Sequence, residues 1–236
     1  MTFLRAEWKD LIMASYAIDP RDLKAHVPRH AELDLRDGVC YVSLVGFLFA
    51  NTRVLGLRIP FHETFEEVNL RFYVRVKEGN EWKRGTVFIR EIVPRAAISL
   101  VANTVYGEHY STMAMDHRRV ELPDTQEIEY RWRHRGEWNH LRVVAGREAQ
   151  EMAPESEEAF IAEHYWGYNK LARGRTGEYQ VVHPPWRVYQ VQKADILCRA
   201  AALYGDAFSY IERETPASVF LAEGSEVSVL PRKILR

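Results

Sequence analysis

The 236-residue sequence predicts an α+β fold that is mainly β, built on one strongly curved or closed antiparallel sheet with a few short helices. Two observations carry that reading. Alternating apolar and polar residues recur along the chain. The clearest case is residues 66–76, EEVNLRFYVRV, where Val68, Leu70, Phe72, Val74 and Val76 share one parity and Glu67, Asn69, Arg71, Tyr73 and Arg75 the other. Compact turn signals punctuate these runs: Asp37-Gly38, KEGNE at 77–81, Arg135-Gly136 and GRTG at 174–177. About a dozen strands and three or four short helices result, as a single domain over residues 1–236.

Taken in order, residues 8–18 read as the first strand. Asp19 and Pro20 suit the cap and first position of a short helix running to about Val27, where Pro28 closes it. Residues 32–50 give a short strand, a turn and a long buried strand. Residues 51–65 form a loop with an apolar interior, of the kind that covers a pocket mouth. The strand at 66–76 turns back through 82–93. PRAAISLVANTVYG (94–107) changes period to a helix of about three turns, stopped by Gly107. Residues 109–122 are strand, and 127–146 a hairpin. Residues 154–166 begin acidic, which favours a helix start. Residues 167–191 give two strands joined at GRTG, the second interrupted at Pro184-Pro185. A helix at 195–205 and a closing hairpin at 218–230, turning at EGSE, complete the chain.

Composition narrows the function classes. The formal net charge of −1 gives no broad attraction to nucleic acid or anionic membrane. Two distant cysteines, Cys40 and Cys198, form no metal or redox motif and fit a reducing compartment. No run approaches the ~20 apolar residues of a membrane span, so a cytoplasmic location is expected. Dinucleotide, P-loop, zincin and nucleophile-elbow signatures are missing. His26 and His30 have helical spacing, but Pro28 between them argues against a metal pair. Glu66 and Glu67 leave opposite strand faces and cannot work as a local acid–base pair. No metal and no cofactor is implied.

A dispersed polar set remains as candidate binding residues: Asn69, Arg71 and Tyr73 on one strand, Arg95 and Asn103 on the helix, His109 and Tyr110 after it, Glu163 and Tyr165 beside His164, and His183 with Trp186. If the row Asn69, Arg71, Tyr73 lines a cavity, Arg71 is expected to be buried and paired with a carboxylate or an anion. Tyr165 and Trp186 are expected as near cross-strand neighbours about the GRTG turn.

NLRFYV (69–74), PRAAISLVANTVYGEHYSTMAM (94–115), EHYWGY (163–168) and VHPPW (182–186) resemble the bacterial DUF2071, or YqjF-like, family over nearly the whole chain. That family is grouped by fold with acetoacetate decarboxylase, and DPRDLKAHVPRHAELD (19–34) is similar to the decarboxylase pattern too. The resemblance implies a half-closed, cone-like barrel around a central cavity, with the Asn69 row turned inward. It does not carry the decarboxylase mechanism, which forms a Schiff base through a lysine on the central helical segment. The matching segment here has no lysine; Asn103 and Thr104 stand roughly in its place, and Lys9 and Lys77 are the nearest alternatives. The expected function is a small-molecule-binding protein or enzyme with a small anionic or carbonyl-containing ligand inside the cone. A lysine-dependent decarboxylase or aldolase-like enzyme and a non-catalytic scaffold are the alternatives, and a homo-oligomer is compatible with each.

Overall fold

The computed structural model describes residues 2–235. In chain order the elements are β1 (Leu4–Ile18), α1 (Pro20–Leu23), β2 (Ala31–Leu33), β3 (Cys40–Val54), β4 (Leu57–Arg58), β5 (Phe65–Glu78) and β6 (Glu81–Val93). Then come α2 (Ala96–Val101), which continues as a π-helical turn over Ala102–Tyr106, β7 (Tyr110–Thr112), β8 (Ala114–Glu121), β9 (Thr125–His134), β10 (Glu137–Glu151) and α3 (Glu157–Ala162). The chain ends with β11 (Trp166–Leu171), β12 (Arg175–Val182), β13 (Arg187–Leu197), α4 (Ala200–Tyr204), β14 (Ser218–Val229) and β15 (Lys233–Leu235).

All these strands belong to one sheet, whose path runs β12-β11-β6-β5-β3-β1-β14-β13-β10-β9-β8. β12 also pairs with β14, at Val181–Val229 and Val182–Ser228, so the first seven strands of that path close into a ring. The pairing is antiparallel except where β6 meets β11 and β7. Strands β13, β10, β9 and β8 leave the ring as an arm that folds back over its outer face. One apolar core fills the space between ring and arm, joining Ile12, Leu44, Leu70, Ile128, Trp132 and Leu141. A second lies inside the ring and includes Leu11, Met13, Phe47, Phe65, Tyr73 and Trp186.

This double burial explains the alternation in β5. Val68, Leu70, Phe72, Val74 and Val76 enter the core between ring and arm. Glu67, Asn69, Arg71 and Tyr73 point into the ring and are buried as well. The polar parity therefore faces an interior, as a closed sheet allows.

Several elements differ from expectation for identifiable reasons. β1 begins at Leu4 and extends past the predicted start. α1 keeps Asp19 as its cap, its carboxylate accepting from the Arg21 N–H, but ends at Leu23. The residue before Pro28 is steered away from helical backbone. The turn between β11 and β12 lies at Ala172–Gly174 and shares only Gly174 with GRTG, whose remaining residues belong to β12. Pro184-Pro185 interrupts the chain as expected, since neither proline can donate to a ladder: β12 and β13 flank the prolines and pair with the same edge of β14 in one register, at Val181–Val229 and Val182–Ser228 before them and Val188–Ala222 and Tyr189–Leu221 after. Residues 218–229 form one strand, not a hairpin. β14 pairs with β1 from Leu4–Val229 to Ser15–Ser218. Gly224 absorbs the bend: its φ is +81° and a Cβ there meets the Trp8 carbonyl oxygen at 2.0 Å. EGSE is thus an irregularity in a continuous strand, not a turn.

Candidate binding cavity

A cavity of about 320 Å3 opens inside the ring, at the lower end of the size of small-molecule sites. Its walls are largely apolar, with Trp8, Phe47, Phe49, Phe65 and Ile98 among the lining side chains. α2 and the π turn supply one side through Ala97, Ile98, Val101, Ala102 and Tyr106. Ile59 and His62 from the 59–64 loop reach the cavity, as the apolar interior of that loop predicts. Among the described residues, the lining contains no lysine.

The polar lining is concentrated on β5, β6 and the segment after the π turn. Glu67, Asn69 and Arg71 follow at every second position of β5, and Asn69 stands opposite Glu91 of β6. Glu91 is in turn the register partner of Tyr110 in β7, and Glu108 lies just before it. Tyr110 donates its hydroxyl hydrogen to Glu67 Oε2 at 2.9 Å, and Asn69 Nδ2 donates to Glu67 Oε1 at 2.9 Å. Asn169 Nδ2 donates to Glu108 Oε1 at 3.0 Å.

Two glycines of the β11–β12 hairpin make room for this arrangement. Gly167 lies opposite Tyr179, where a Cβ meets the Tyr179 ring at 2.1 Å. Gly177 lies opposite Asn169, where a Cβ meets the Asn169 Oδ1 at 2.3 Å. Each side chain crosses over its partner strand because that strand offers only hydrogen.

Three buried carboxyls next to one another cannot all ionise cheaply. Burial pushes Glu67 up to about 7 despite its bonds from Asn69 and Tyr110 and the attraction of Arg71. Burial pushes Glu108 up to about 7 as well, opposed by hydrogen bonds from Tyr179 and Asn169. Glu91 is raised well above the ordinary carboxylate value, first by burial and then by the charges of Glu108 and Glu67. Its Oε2 and the Oε2 of Glu108 have no hydrogen-bond partner. The group can hold, share and release protons near neutral pH.

Arg71 is 8% exposed. Its Nη2 makes only long contacts, 3.4 Å to the Ile161 carbonyl and 3.7 Å to Met13 Sδ, and its Nε has no partner. The expected carboxylate partner is missing among the described residues: the nearest acidic group on its strand face, Glu67, is already bonded to Asn69 and Tyr110. A buried guanidinium without a counter-ion is the polar feature of the cavity least explained by the fold itself.

Of the sequence-derived candidates, the structure brings Asn69, Arg71 and Tyr110 together in the cavity wall. Tyr73 shares their face but lies in the packed interior, its hydroxyl 2.6 Å from Ser43 Oγ and its ring 4.6 Å from His164. His164 bonds Asp34 Oδ2 through Nε2 at 3.0 Å, and burial lowers it to about 4. Arg95 is exposed at the start of α2. Asn103 is exposed and grips the backbone of Tyr110 at both its N–H and its carbonyl, so it places a cavity residue without lining the cavity. His109 is exposed, and Glu163 closes α3 outside the wall.

Tyr165, His183 and Trp186 form a separate aromatic stack. His183 lies 4.8 Å from Tyr165 and 4.1 Å from Trp186, and Trp186 donates Nε1 to Ser225 Oγ at 2.9 Å. Tyr165 and Trp186 are joined through His183, and Tyr165 accepts from the Val181 N–H, five residues short of Trp186. The cross-strand register predicted about GRTG is thereby corrected. The stack backs the cavity indirectly, through Trp8, 6.1 Å from Trp186. Glu67, Glu91, Glu108 and Tyr179 are among the cavity residues that sequence reasoning missed.

A ring of strands around a small, mostly apolar cavity defines an acetoacetate decarboxylase-like fold. Acetoacetate decarboxylase from Legionella pneumophila superposes with a TM-score of 0.67 over 99% of this chain and 87% of that one, at 11% identity. The enduracididine biosynthesis enzyme MppR complexed with pyruvate gives 0.69 over 100% and 91%, at 13% identity. An acetoacetate decarboxylase-like enzyme from Sphingomonas wittichii RW1 gives 0.66 over 100% and 94%, at 12% identity. At these identities the likeness concerns the fold. By sequence, the chain belongs to the DUF2071 family, described as an uncharacterized conserved protein, whose model matches residues 5–226. The uncharacterized protein YqjF of Bacillus subtilis strain 168 is 37% identical over 75 residues, and the aligned stretch spans 31% of each chain.

Proposed function

We propose that this protein binds a small organic acid inside the ring of strands, and that any reaction there proceeds by proton transfer without a covalent amine intermediate. The observation that carries the reading is Arg71, a buried guanidinium in the wall of a ligand-sized cavity with an unpartnered Nε and no carboxylate on it. A ligand carboxylate, or the carbonyl oxygen of an oxo acid, supplies the missing acceptor through a charge-assisted bond. The aromatic wall takes the apolar body of the ligand. Glu67, Glu91 and Glu108 supply or take protons.

A Schiff-base mechanism requires a lysine amine at the carbonyl carbon. The central helical segment offers Asn103 and Thr104 instead. Lys9 is paired with Glu7 at 2.6 Å and half-exposed, outside the lining. The pyruvate complex of MppR is compatible with an oxo-acid ligand here. Free, buried Cys40 and Cys198 accord with a reducing, cytoplasmic setting. The chain serves this cavity as one domain.

The test combines borohydride trapping with calorimetry. Pyruvate or acetoacetate with borohydride is expected to leave the intact mass unchanged, while short aliphatic and aryl carboxylates bind measurably. A reduced adduct on a lysine overturns the non-covalent reading.

A further inference from the structure

We infer that the cleft between the segment before β2 and the β11–β12 turn binds a small polyanion of the diphosphate class. The site is separate from the central cavity, with which it shares no lining residue. It stands or falls independently of the organic-acid reading.

Three short stretches of chain meet there. Residues 25–30 carry Arg29 and His30, residues 170–177 carry Lys170, Arg173 and Arg175, and residues 231–235 carry Arg232 and Lys233. None of the three stretches contains an aspartate or glutamate. The fold ties them together. Thr176 Oγ1 donates to the Arg29 carbonyl at 2.6 Å, and Lys170 Nζ to the Ala25 carbonyl at 2.5 Å. β15 pairs with β12 through Thr176–Leu235 and Gly177–Ile234. Arg29, His30, Arg173 and Arg175 line the resulting cleft beside Ile234 and Leu235, and all four are exposed.

The chain as a whole has a net charge of −1, so this concentration of one sign is local, and like charges brought together repel. The carboxylates that flank the three stretches are engaged elsewhere: Glu32 with Arg75 at 2.6 Å, and Glu178 with Lys83 at 3.4 Å. Two of the four basic residues also hold left-handed backbone, His30 at φ +72° and Arg173 at φ +62°. Residues with a Cβ seldom adopt that region, and glycine or asparagine serves such turns at less cost. Strain of this kind gathers at ligand clamps.

The donor set selects the ligand. Guanidinium forks reach the cleft from two separate segments. Donors converging from several directions suit a tetrahedral phosphate, whose oxygens point outward on all sides, better than a flat carboxylate. Three arginines are matched by more than one negative charge, which a diphosphate carries. The lining holds no aromatic ring on which a base could stack. The phosphates, and not a nucleobase, are therefore what the site reads.

Isothermal titration at low salt tests this, with pyrophosphate, inorganic phosphate, acetate and a single-stranded oligonucleotide as probes. Pyrophosphate is expected to bind at least tenfold tighter than phosphate, and acetate more weakly still. Arg173→Asn and Arg175→Gln should each weaken pyrophosphate several-fold, and the double variant abolish its binding. Arg118→Ser, on an exposed arginine of β8 that pairs with Glu127, should leave it unchanged. Melting curves confirm that each variant is folded. Pyrophosphate binding that survives the double substitution overturns the inference, as does the lack of any pyrophosphate binding. An oligonucleotide that binds tighter than pyrophosphate, with affinity growing with its length, overturns it in favour of a nucleic-acid surface.

Discussion

Tyr110 donates its hydroxyl hydrogen to Glu67 across 2.9 Å, from a backbone position fixed by Asn103. That bond favours the ionised form of Glu67 against the burial that raises it to about 7. Tyr110→Phe removes the bond and little volume. The Glu67 carboxyl is expected to titrate higher in the variant, read by NMR of carboxyl-labelled glutamate. A lower value contradicts the assigned role of the phenol.

Stability should respond to pH through two opposing sets of groups. The folded state keeps protons on Glu67 and Glu108 up to about 7, whereas an unfolded glutamate loses its proton near 4.5. Between these values the unfolded chain binds fewer protons, so these groups lower stability as pH rises. His164 and His183 are depressed to about 4 by burial from the ordinary 6.5. Their contribution is full above 6.5 and is lost as pH falls towards 4. Glu108→Gln removes one member of the first set. Its melting temperature is expected to climb more steeply than that of the unsubstituted protein between pH 4.5 and 6.5. At pH 8 it should exceed it by ~2–4 °C, for about 1 kcal/mol in a chain this size. Parallel pH profiles contradict this.

Gly167→Ala tests how the cavity wall is built. The added methyl collides with the Tyr179 ring, which must move. The expected cost is about 1–3 kcal/mol by denaturant unfolding, with at least a tenfold loss of ligand affinity in the folded fraction. Unchanged affinity separates Tyr179 from the site.

Trp186 is buried, stacked on His183 and bonded to Ser225, but lies outside the cavity lining. Trp186→Ala is expected to cost about 3–5 kcal/mol, as for other buried Trp truncations, and to alter ligand affinity far less than Arg71 substitutions. His183→Ala, on a half-buried ring, should cost less. The reverse order in affinity makes the stack part of the site.

The legibility of the sequence followed the range of its physics. Alternation in β5, the Asp19 cap and the Gly107 stop are local, and each appears in the structure. Arg71 could be singled out because its strand parity set it beside Asn69 and the family resemblance implied that this row turns inward. Glu91 could not: in REIV it looks like a solvent-facing strand residue, and only the β5–β6 register sets it opposite Asn69. Tyr179 and Glu108 depend on crossings over Gly167 and on a π turn, neither of which has a local signature. EGSE misled because the same residues serve a turn or a strand irregularity, and the β1 partner decides between them. Proximity in sequence suggested His109 and Asn103, but the chain turns both outward.

The affinity of the protein for small carboxylates, measured by calorimetry on Arg71→Met and Arg71→Lys beside the unsubstituted chain, bears most directly on the cavity's role. Met preserves length and removes the charge; Lys keeps the charge and loses the planar fork that grips a carboxylate. Affinity should fall at least tenfold in Arg71→Met and by an intermediate amount in Arg71→Lys, with melting temperature equal or higher in the Met variant because an uncompensated buried charge is gone. Equal affinity in all three proteins contradicts the assignment of Arg71 as the anion anchor.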